Sequence, residues 1–169
     1  SRRNNQLIMA PTSGGKTLVG ELAGVSRAME DKRKMLYVVP IVALANIRET
    51  EFKQYYADLN LNVVKKVGES LFEKRDIDAL ERLKNADIII ATYEAIDHVL
   101  RSGNLDVLGD IGTIVIDEIQ VLIEEERGFL LDGFISRLKV IYPDAQYLYL
   151  SATIGEPKEL AQKLNAHLI

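Results

Sequence analysis

Two short stretches carry the residue types and spacing that could do chemistry: Gly14-Gly15-Lys16-Thr17 near the start and Asp117-Glu118 well downstream. The first belongs to Met9-Ala10-Pro11-Thr12-Ser13-Gly14-Gly15-Lys16-Thr17, which follows the apolar run Gln6-Leu7-Ile8-Met9 and opens a helical pattern. That is the strand, loop, helix context of a phosphate-binding loop. Small residues let the backbone curl until its N–H groups face a polyphosphate, and the helix N-terminus adds its positive dipole end. Lys16 supplies a point charge for the β- and γ-phosphates, and the Thr17 hydroxyl can ligate Mg²⁺. Pro11, Thr12, Ser13, Gly14 and Gly15 complete the expected nucleotide contacts. A glycine-rich turn before a helix would explain Gly14 and Gly15, but not the Gly-Lys-Thr run. The general pattern begins with glycine, whereas this loop begins with Ala10.

Ile114-Val115-Ile116 reads as a buried strand that delivers the carboxylates of Asp117 and Glu118 at its end. Asp117 is expected to hold Mg²⁺ opposite Thr17, and Glu118 to orient or deprotonate an attacking water. γ-Phosphate hydrolysis asks for positioning and charge neutralisation more than covalent chemistry. The competing reading is a helix start, where acidic residues favour the positive dipole end. Ser151-Ala152-Thr153 likewise reads either as functional hydroxyls or as a helix-entry turn. Thr92 could be an ordinary N-cap with Tyr93 packed in the core.

The elements that must position these residues alternate strand and helix, which argues for an α/β fold with a mainly parallel sheet covered on both faces. Strands are expected at Gln6–Met9, Met35–Val39, Asn62–Val67, Asp87–Thr92, Ile111–Ile116 and Ala145–Leu150, with a further one beginning at His167. Helices are expected from Lys16 to about Met29, over about Ile41–Asp58, Asp76–Lys84, Tyr93–Arg101 and Phe129–Ile141, and from Pro157 to about Leu164. The second helix collects Ile41, Leu44, Ala45, Phe52, Tyr55, Tyr56 and Leu59 on one face. Arg48 falls on that same face, which a purely structural helix would not favour. In an open parallel sheet, ligands bind beyond the carboxyl ends of the strands. Gly15-Lys16-Thr17, Pro40, Gly68, Thr92-Tyr93-Glu94, Asp117-Glu118 and Ser151-Ala152-Thr153 all follow strands and should share one edge.

Composition narrows the alternatives. The 169 residues suffice for one domain, and 47% are apolar, enough for an ordinary core. A net charge of −4, from 21 basic and 25 acidic residues, excludes a generally basic DNA-coating protein but not a local basic groove. The sequence has no cysteine, so disulfides, thiolate metal sites and cysteine nucleophiles are excluded. No apolar run reaches the roughly 18–20 residues of a membrane span, and no signal peptide is visible. An intracellular location, cytoplasmic or nucleoid/nuclear, is the expectation. The chain begins at Ser1 without Met, directly before the first strand, and reads as a fragment or a processed chain.

Taken together the motifs resemble superfamily 2 helicases of the DEAD/DExH class. Ala10 to Thr17 resembles motif I, in which alanine at the first position is usual. Val39-Pro40-Ile41-Val42-Ala43-Leu44-Ala45 resembles motif Ia, Ala91-Thr92-Tyr93-Glu94 motif Ib, Asp117-Glu118-Ile119-Gln120 motif II and Ser151-Ala152-Thr153 motif III. Arg127-Gly128 is similar to the Arg-Gly of Ski-type and archaeal DNA-repair helicases, a group that leans toward 3′-to-5′ movement.

The resemblance implies the first RecA-like ATPase domain of a helicase or translocase, with ATP and Mg²⁺ as ligands. A DNA or RNA single strand and a second RecA-like domain of the same chain would be its partners, with no membrane involved. It assigns Lys16, Glu118 and Gln120 to catalysis, Thr17 and Asp117 to the metal, and Ser151 and Thr153 to coupling. It assigns Pro40, Ala43, Leu44, Gly68, Thr92 and Glu94 to backbone contacts with one strand. Val42 stands where relatives often carry a basic residue, and Arg48 is expected to compensate as a nucleic-acid contact. Ala95 stands where lysine is frequent. Gln120 replaces a His or Asp and does not titrate near neutral pH, which excludes a proton relay and leaves a hydrogen bond to motif III or to the partner domain. Without the second domain's arginine fingers, worth roughly 10³–10⁵ in rate, the chain alone should hydrolyse ATP poorly and unwind nothing. A non-translocating P-loop ATPase and a degenerate helicase-like scaffold are the alternatives. Lys16→Ala is expected to abolish nucleotide binding without unfolding the domain, on the premise that the loop is exposed and its lysine makes no core contact.

Overall fold

A computed structural model describes residues 4–10, 15–68, 77–124, 128–152 and 156–169. Seven parallel strands form one sheet in the order β3-β4-β2-β5-β6-β1-β7. They are β1 (Gln6–Met9), β2 (Lys34–Val39), β3 (Val63–Lys66), β4 (Ile88–Thr92), β5 (Ile111–Ile116), β6 (Gln146–Ser151) and β7 (His167–Leu168). The helices are α1 (Lys16–Glu30), α2 (Val42–Tyr55), α3 (Ile77–Lys84), α4 (Tyr93–Ser102), α5 (Ile119–Glu124), α6 (Gly128–Ile141) and α7 (Pro157–Leu164).

Strand alternation sorts the core into two layers, because successive side chains leave a strand on opposite faces. Met35, Tyr37 and Val39 of β2 join Ile88 and Ile90 of β4, Val115 of β5 and Leu148 and Leu150 of β6 beneath α1 and α2. Leu36, Val38, Ile89, Ile114, Ile116, Tyr147 and Tyr149 face the opposite layer, with Ile96, Phe134, Leu138 and Leu164 of the other helices. Both faces are covered, so the central strands read as unbroken apolar runs rather than alternating ones.

The α/β parallel-sheet expectation holds. Strand and helix bounds agree within a residue or two, except that α2 ends at Tyr55 and a short 3-10 turn, Ala57–Leu59, follows it. Helix α5, directly after Asp117-Glu118, was not expected as an element. The α2 wheel needs correction as well: Ile41 and Tyr55 are 53% and 65% exposed, and the residues it buries fully are Ala45 and Phe52. Arg48 lies between those two on the inward face.

Helix α1 can approach the sheet closely because Gly20 and Gly24 face it. A Cβ on Gly24 would come within 2.2 Å of the Met35 sulfur and 2.6 Å of its Cγ. Met35 is fully buried and has little room to retreat. Gly24→Ala is therefore expected to destabilise the fold by about 1–2 kcal/mol, since overpacking of about 1–3 kcal/mol outweighs alanine's helix preference of about 1 kcal/mol. A lowered urea midpoint at unchanged slope would show it.

The register brings the strand ends together. Val39 sits beside Thr92 and Met9 beside Ser151, while the Asp117 N–H donates to the Val38 carbonyl at 2.8 Å. One sheet edge thus carries, in spatial order, Gly68, Thr92, Pro40, Asp117, Ser151 and the entry to the loop at Ala10.

Candidate nucleotide and metal site

Two backbone conformations in the left-handed region shape the site. Gly15 (φ 73°, ψ 7°) caps the start of α1, with open space where a Cβ would be. Glycine is required there by backbone conformation rather than by crowding. Glu118 has φ 50°, a conformation that costs a non-glycine residue of order 1–2 kcal/mol. The chain turns there from β5 into α5, and the Asp117 carboxylate braces the turn by accepting from the Glu118 N–H at 2.9 Å.

The Glu118 side chain comes within 3.6 Å of the Lys16 ammonium. Lys16 is buried, at 3% exposure. This corrects the premise that the lysine is exposed and free of the core. Lys16→Ala removes a buried cation from a carboxylate, so a lowered melting temperature should accompany the loss of nucleotide binding.

Gln120 links the second motif to the third. Its amide N–H donates to Glu118 Oε2, while its Oε1 accepts from the Ser151 hydroxyl and from the Ala152 N–H, both at 3.0 Å. The hydrogen bond left open for Gln120 is thus made to Ser151 and Ala152. Ser151 is fully buried.

Asp117 is the most enclosed charged group of the site. Its Oδ2 accepts from the Tyr37 hydroxyl at 2.7 Å and from Arg48 Nη2 at 3.2 Å. Burial raises its carboxyl above the ordinary range, against the Tyr37 hydrogen bond and the Arg48 charge, which lower it. Arg48 Nη2 also donates to Thr17 Oγ1 at 3.2 Å, and Nη1 to Glu51 at 2.7 Å. Sequence reasoning placed Arg48 on the nucleic-acid track; the structure places its guanidinium among the residues assigned to the metal. The half-buried place of Arg48 on the inward face of α2, which packs on β2 beside Asp117's strand, is the physical reason. The same reasoning missed Tyr37, Glu51 and Glu21. Tyr37 had a legible signal, as a hydroxyl-bearing residue in the aliphatic run Met35–Val39.

Thr17 Oγ1 and Asp117 Oδ2 face one point, which Arg48 Nη2 shows to be able to hold positive charge. Two hard oxygen donors converging on a cation position fit Mg²⁺.

Glu21, on α1, accepts from the Tyr56 hydroxyl at 3.2 Å. Burial raises its carboxyl, opposed by Tyr56 and Arg48. A carboxyl raised in the folded state keeps its proton where the unfolded chain has lost it. Its contribution to stability is full below the unfolded pKa and is lost as pH rises through the folded one. Glu21→Gln removes that loss. Its melting temperature relative to the unaltered protein should climb as pH rises above the ordinary carboxylate range and then level off.

The expected strand contacts divide by exposure. Ala43, Gly68 and Glu94 are exposed, and Leu44 is half-buried. Pro40 is buried, as is Thr92, whose hydroxyl accepts from the Ala95 N–H at 3.4 Å as the N-cap of α4. Tyr93 packs edge-on against Phe134 at 4.9 Å. Pro11, Thr12, Ser13, Gly14, Arg127 and Thr153 lie outside the described residues. A cleft of about 730 Å³ at the other end of the strands, lined by Arg27, Lys139, Gln146 and His167 among others, shares no residue with this site.

No helix among the described residues is long and apolar enough to cross a membrane.

Comparison with known proteins agrees with the geometry. The family model for DEAD/DEAH box helicases matches residues 1–160. A probable ATP-dependent helicase of Methanocaldococcus jannaschii, MJ1401, is 50% identical over 163 residues, 96% of this chain and 20% of that protein. The ATP-dependent DNA helicase Hel308 of Pyrococcus horikoshii is 40% identical over 165 residues, 98% of this chain and 22% of that protein. The chain therefore spans about a fifth of the length of these relatives. Among solved structures, the DUF1998 helicase MrfA superposes with a TM-score of 0.82 at 24% identity, covering 98% of this chain and 27% of that one. The DEAD-box helicase Mss116 superposes at 0.76 and 22% identity, covering 99% of this chain and 36% of that one, a likeness of RecA-like fold. With its parallel sheet, its Gly-Lys-Thr loop and its Asp-Glu strand end, the chain belongs to the DEAD/DEAH box helicase family.

Proposed function

We propose that the chain is the first RecA-like, ATP-binding motor domain of an ATP-dependent helicase or translocase that tracks a DNA single strand, working with a second RecA-like domain. The observation that carries this is the convergence of Thr17 Oγ1 and Asp117 Oδ2 beside the Lys16–Glu118 pair. Gly15 and Lys16 would hold the phosphates. Thr17 and Asp117 would hold Mg²⁺, which would supply positive charge to offset that of the phosphates. Glu118, aimed by its left-handed backbone and by Gln120, orients the attacking water and accepts its proton.

Gln120 gives the site a mechanical output. A displacement of Glu118 pulls on the amide, whose other end is fastened to Ser151 and Ala152. Those residues end β6, the neighbour of the strand that feeds the phosphate loop. Ala43, Leu44, Gly68 and Glu94 border the same sheet edge and supply the strand-facing rim, with Pro40 and Thr92 buried behind them as its support. DNA is preferred over RNA because the Hel308 relatives are DNA helicases.

Matched DNA and RNA single strands, added to the longest chain that carries this domain, test the reading. Stimulation of ATP hydrolysis by DNA above that by RNA is expected. Hydrolysis indifferent to both strands would return the protein to the non-translocating ATPases.

A further inference from the structure

Arg48 occupies a position that the metal reading leaves unexplained. Its Nη2 lies 3.2 Å from Thr17 Oγ1 and 3.2 Å from Asp117 Oδ2. A guanidinium and a divalent ion at the same two oxygens would sit within a few ångströms of each other, and like charges at that distance in a partly buried site repel strongly. One must leave before the other is bound.

The structure also contains a place for the guanidinium to go. Glu51 on α2 already holds Nη1 at 2.7 Å, and it need not release it. Glu21 on α1 is buried at 4% exposure, and its hydrogen bond in this arrangement comes from a neutral hydroxyl, that of Tyr56. The Glu21 carboxyl already feels the Arg48 charge, and Arg48 Nε is a buried donor without an acceptor among the described residues. A rotation of the Arg48 side chain would bring the two together.

We propose that the Arg48 guanidinium is the resident counter-cation of the Thr17–Asp117 pair, that it competes with the divalent metal for those oxygens, and that it swings to Glu21 and Glu51 when the metal enters. Held at Asp117, it neutralises a buried carboxylate. Held at Glu21 and Glu51, it leaves the metal ligands free. Since Arg48 stands one turn beyond Leu44 on α2, the exchange also changes what anchors the helix whose start borders the strand-facing rim.

The inference rests on Thr17 and Asp117 being the metal ligands, and the test separates the two claims. Free Mn²⁺ is followed by electron paramagnetic resonance during titration of the purified protein without nucleotide. Arg48→Gln is expected to tighten Mn²⁺ binding by about tenfold, the equivalent of about 1.4 kcal/mol. A role confined to packing or to orienting Asp117 predicts unchanged or weaker binding, and either result overturns the proposal. Glu21→Gln should weaken Mn²⁺ binding about threefold in the unaltered protein and have no further effect beside Arg48→Gln, because its influence acts through the arginine. An equal effect in both backgrounds overturns the retreat to Glu21. Should Arg48→Gln fail to fold, Arg48→Met keeps the packing of the stem and carries the same expectation. Asp117→Asn is the control on the underlying reading. If it binds Mn²⁺ as the unaltered protein does, the metal assignment itself is wrong. If it loses binding while Arg48→Gln shows no gain, only the competition is.

Discussion

Glu118→Gln should lower ATP hydrolysis by about 10²–10⁴, the span associated with a positioned general base, while nucleotide stays bound. Glutamine keeps the size of the side chain and can still accept a hydrogen bond, but it cannot take a proton from water. The fold should survive with a lowered melting temperature. The left-handed backbone at residue 118 tolerates glutamine as it tolerates glutamate, but the Lys16 ammonium, 2% exposed, loses the carboxylate 3.6 Å away. The expected result is therefore a folded variant that retains labelled ATP on a filter yet releases little phosphate. Hydrolysis within a factor of a few of normal would remove Glu118 from the chemistry and revive the scaffold alternative.

Asp117→Ala should instead act on folding and on metal together. Its Oδ2 anchors the Tyr37 hydroxyl, and the same oxygen balances Arg48. Alanine leaves that hydroxyl and that cation facing a small cavity. Breaking a fully buried pair costs about 3–5 kcal/mol; here about 2–3 kcal/mol is expected, because Arg48 keeps Glu51 and its side chain is 16% exposed. Denaturant midpoints would register the loss without any nucleotide present, and Mg²⁺-dependent ATP binding should vanish as well. A variant as stable as the original would mean that the Tyr37–Asp117–Arg48 contacts contribute nothing net. Asp117→Asn separates the effects: it preserves the Tyr37 hydrogen bond and removes the charge.

Much of this arrangement was legible in the sequence. Local chemistry named the loop, since Gly15-Lys16-Thr17 needs no distant partner to be recognised, and the aliphatic runs of β2, β4, β5 and β6 announced buried parallel strands. The shared sheet edge followed from topology, because every motif trails a strand. Side chains that meet only after folding were harder to read. Arg48 was flagged as anomalous on the inward face of α2, but its partner lies 69 positions away, just past the end of β5, and nothing local says which strand end it reaches. Tyr56 and Glu21 meet across two helices by the same kind of distant contact. Helix α5 was missed because Ile119–Glu124 is a single short turn or two, too brief to show a period. Thr92 shows a different limit: its hydroxyl accepts as the cap of α4, and that use leaves the proton able to donate, so capping and phosphate contact are not told apart by residue type.

The position of β1 in the sheet has a kinetic consequence. This strand feeds the phosphate loop, yet it pairs with β6 and β7, the last two strands among the described residues. Gln146 and Asn4, which are hydrogen-bonded beside that pairing, stand 142 positions apart. The entropy of closing so long a loop must be met before the pairing returns any energy. The inner strands β2, β4 and β5 enclose shorter loops and can assemble earlier. During refolding, then, fluorescent-nucleotide binding should lag behind the recovery of bulk strand signal. On the ribosome, β1 would wait for β6 and β7 before the phosphate loop it feeds could grip ATP.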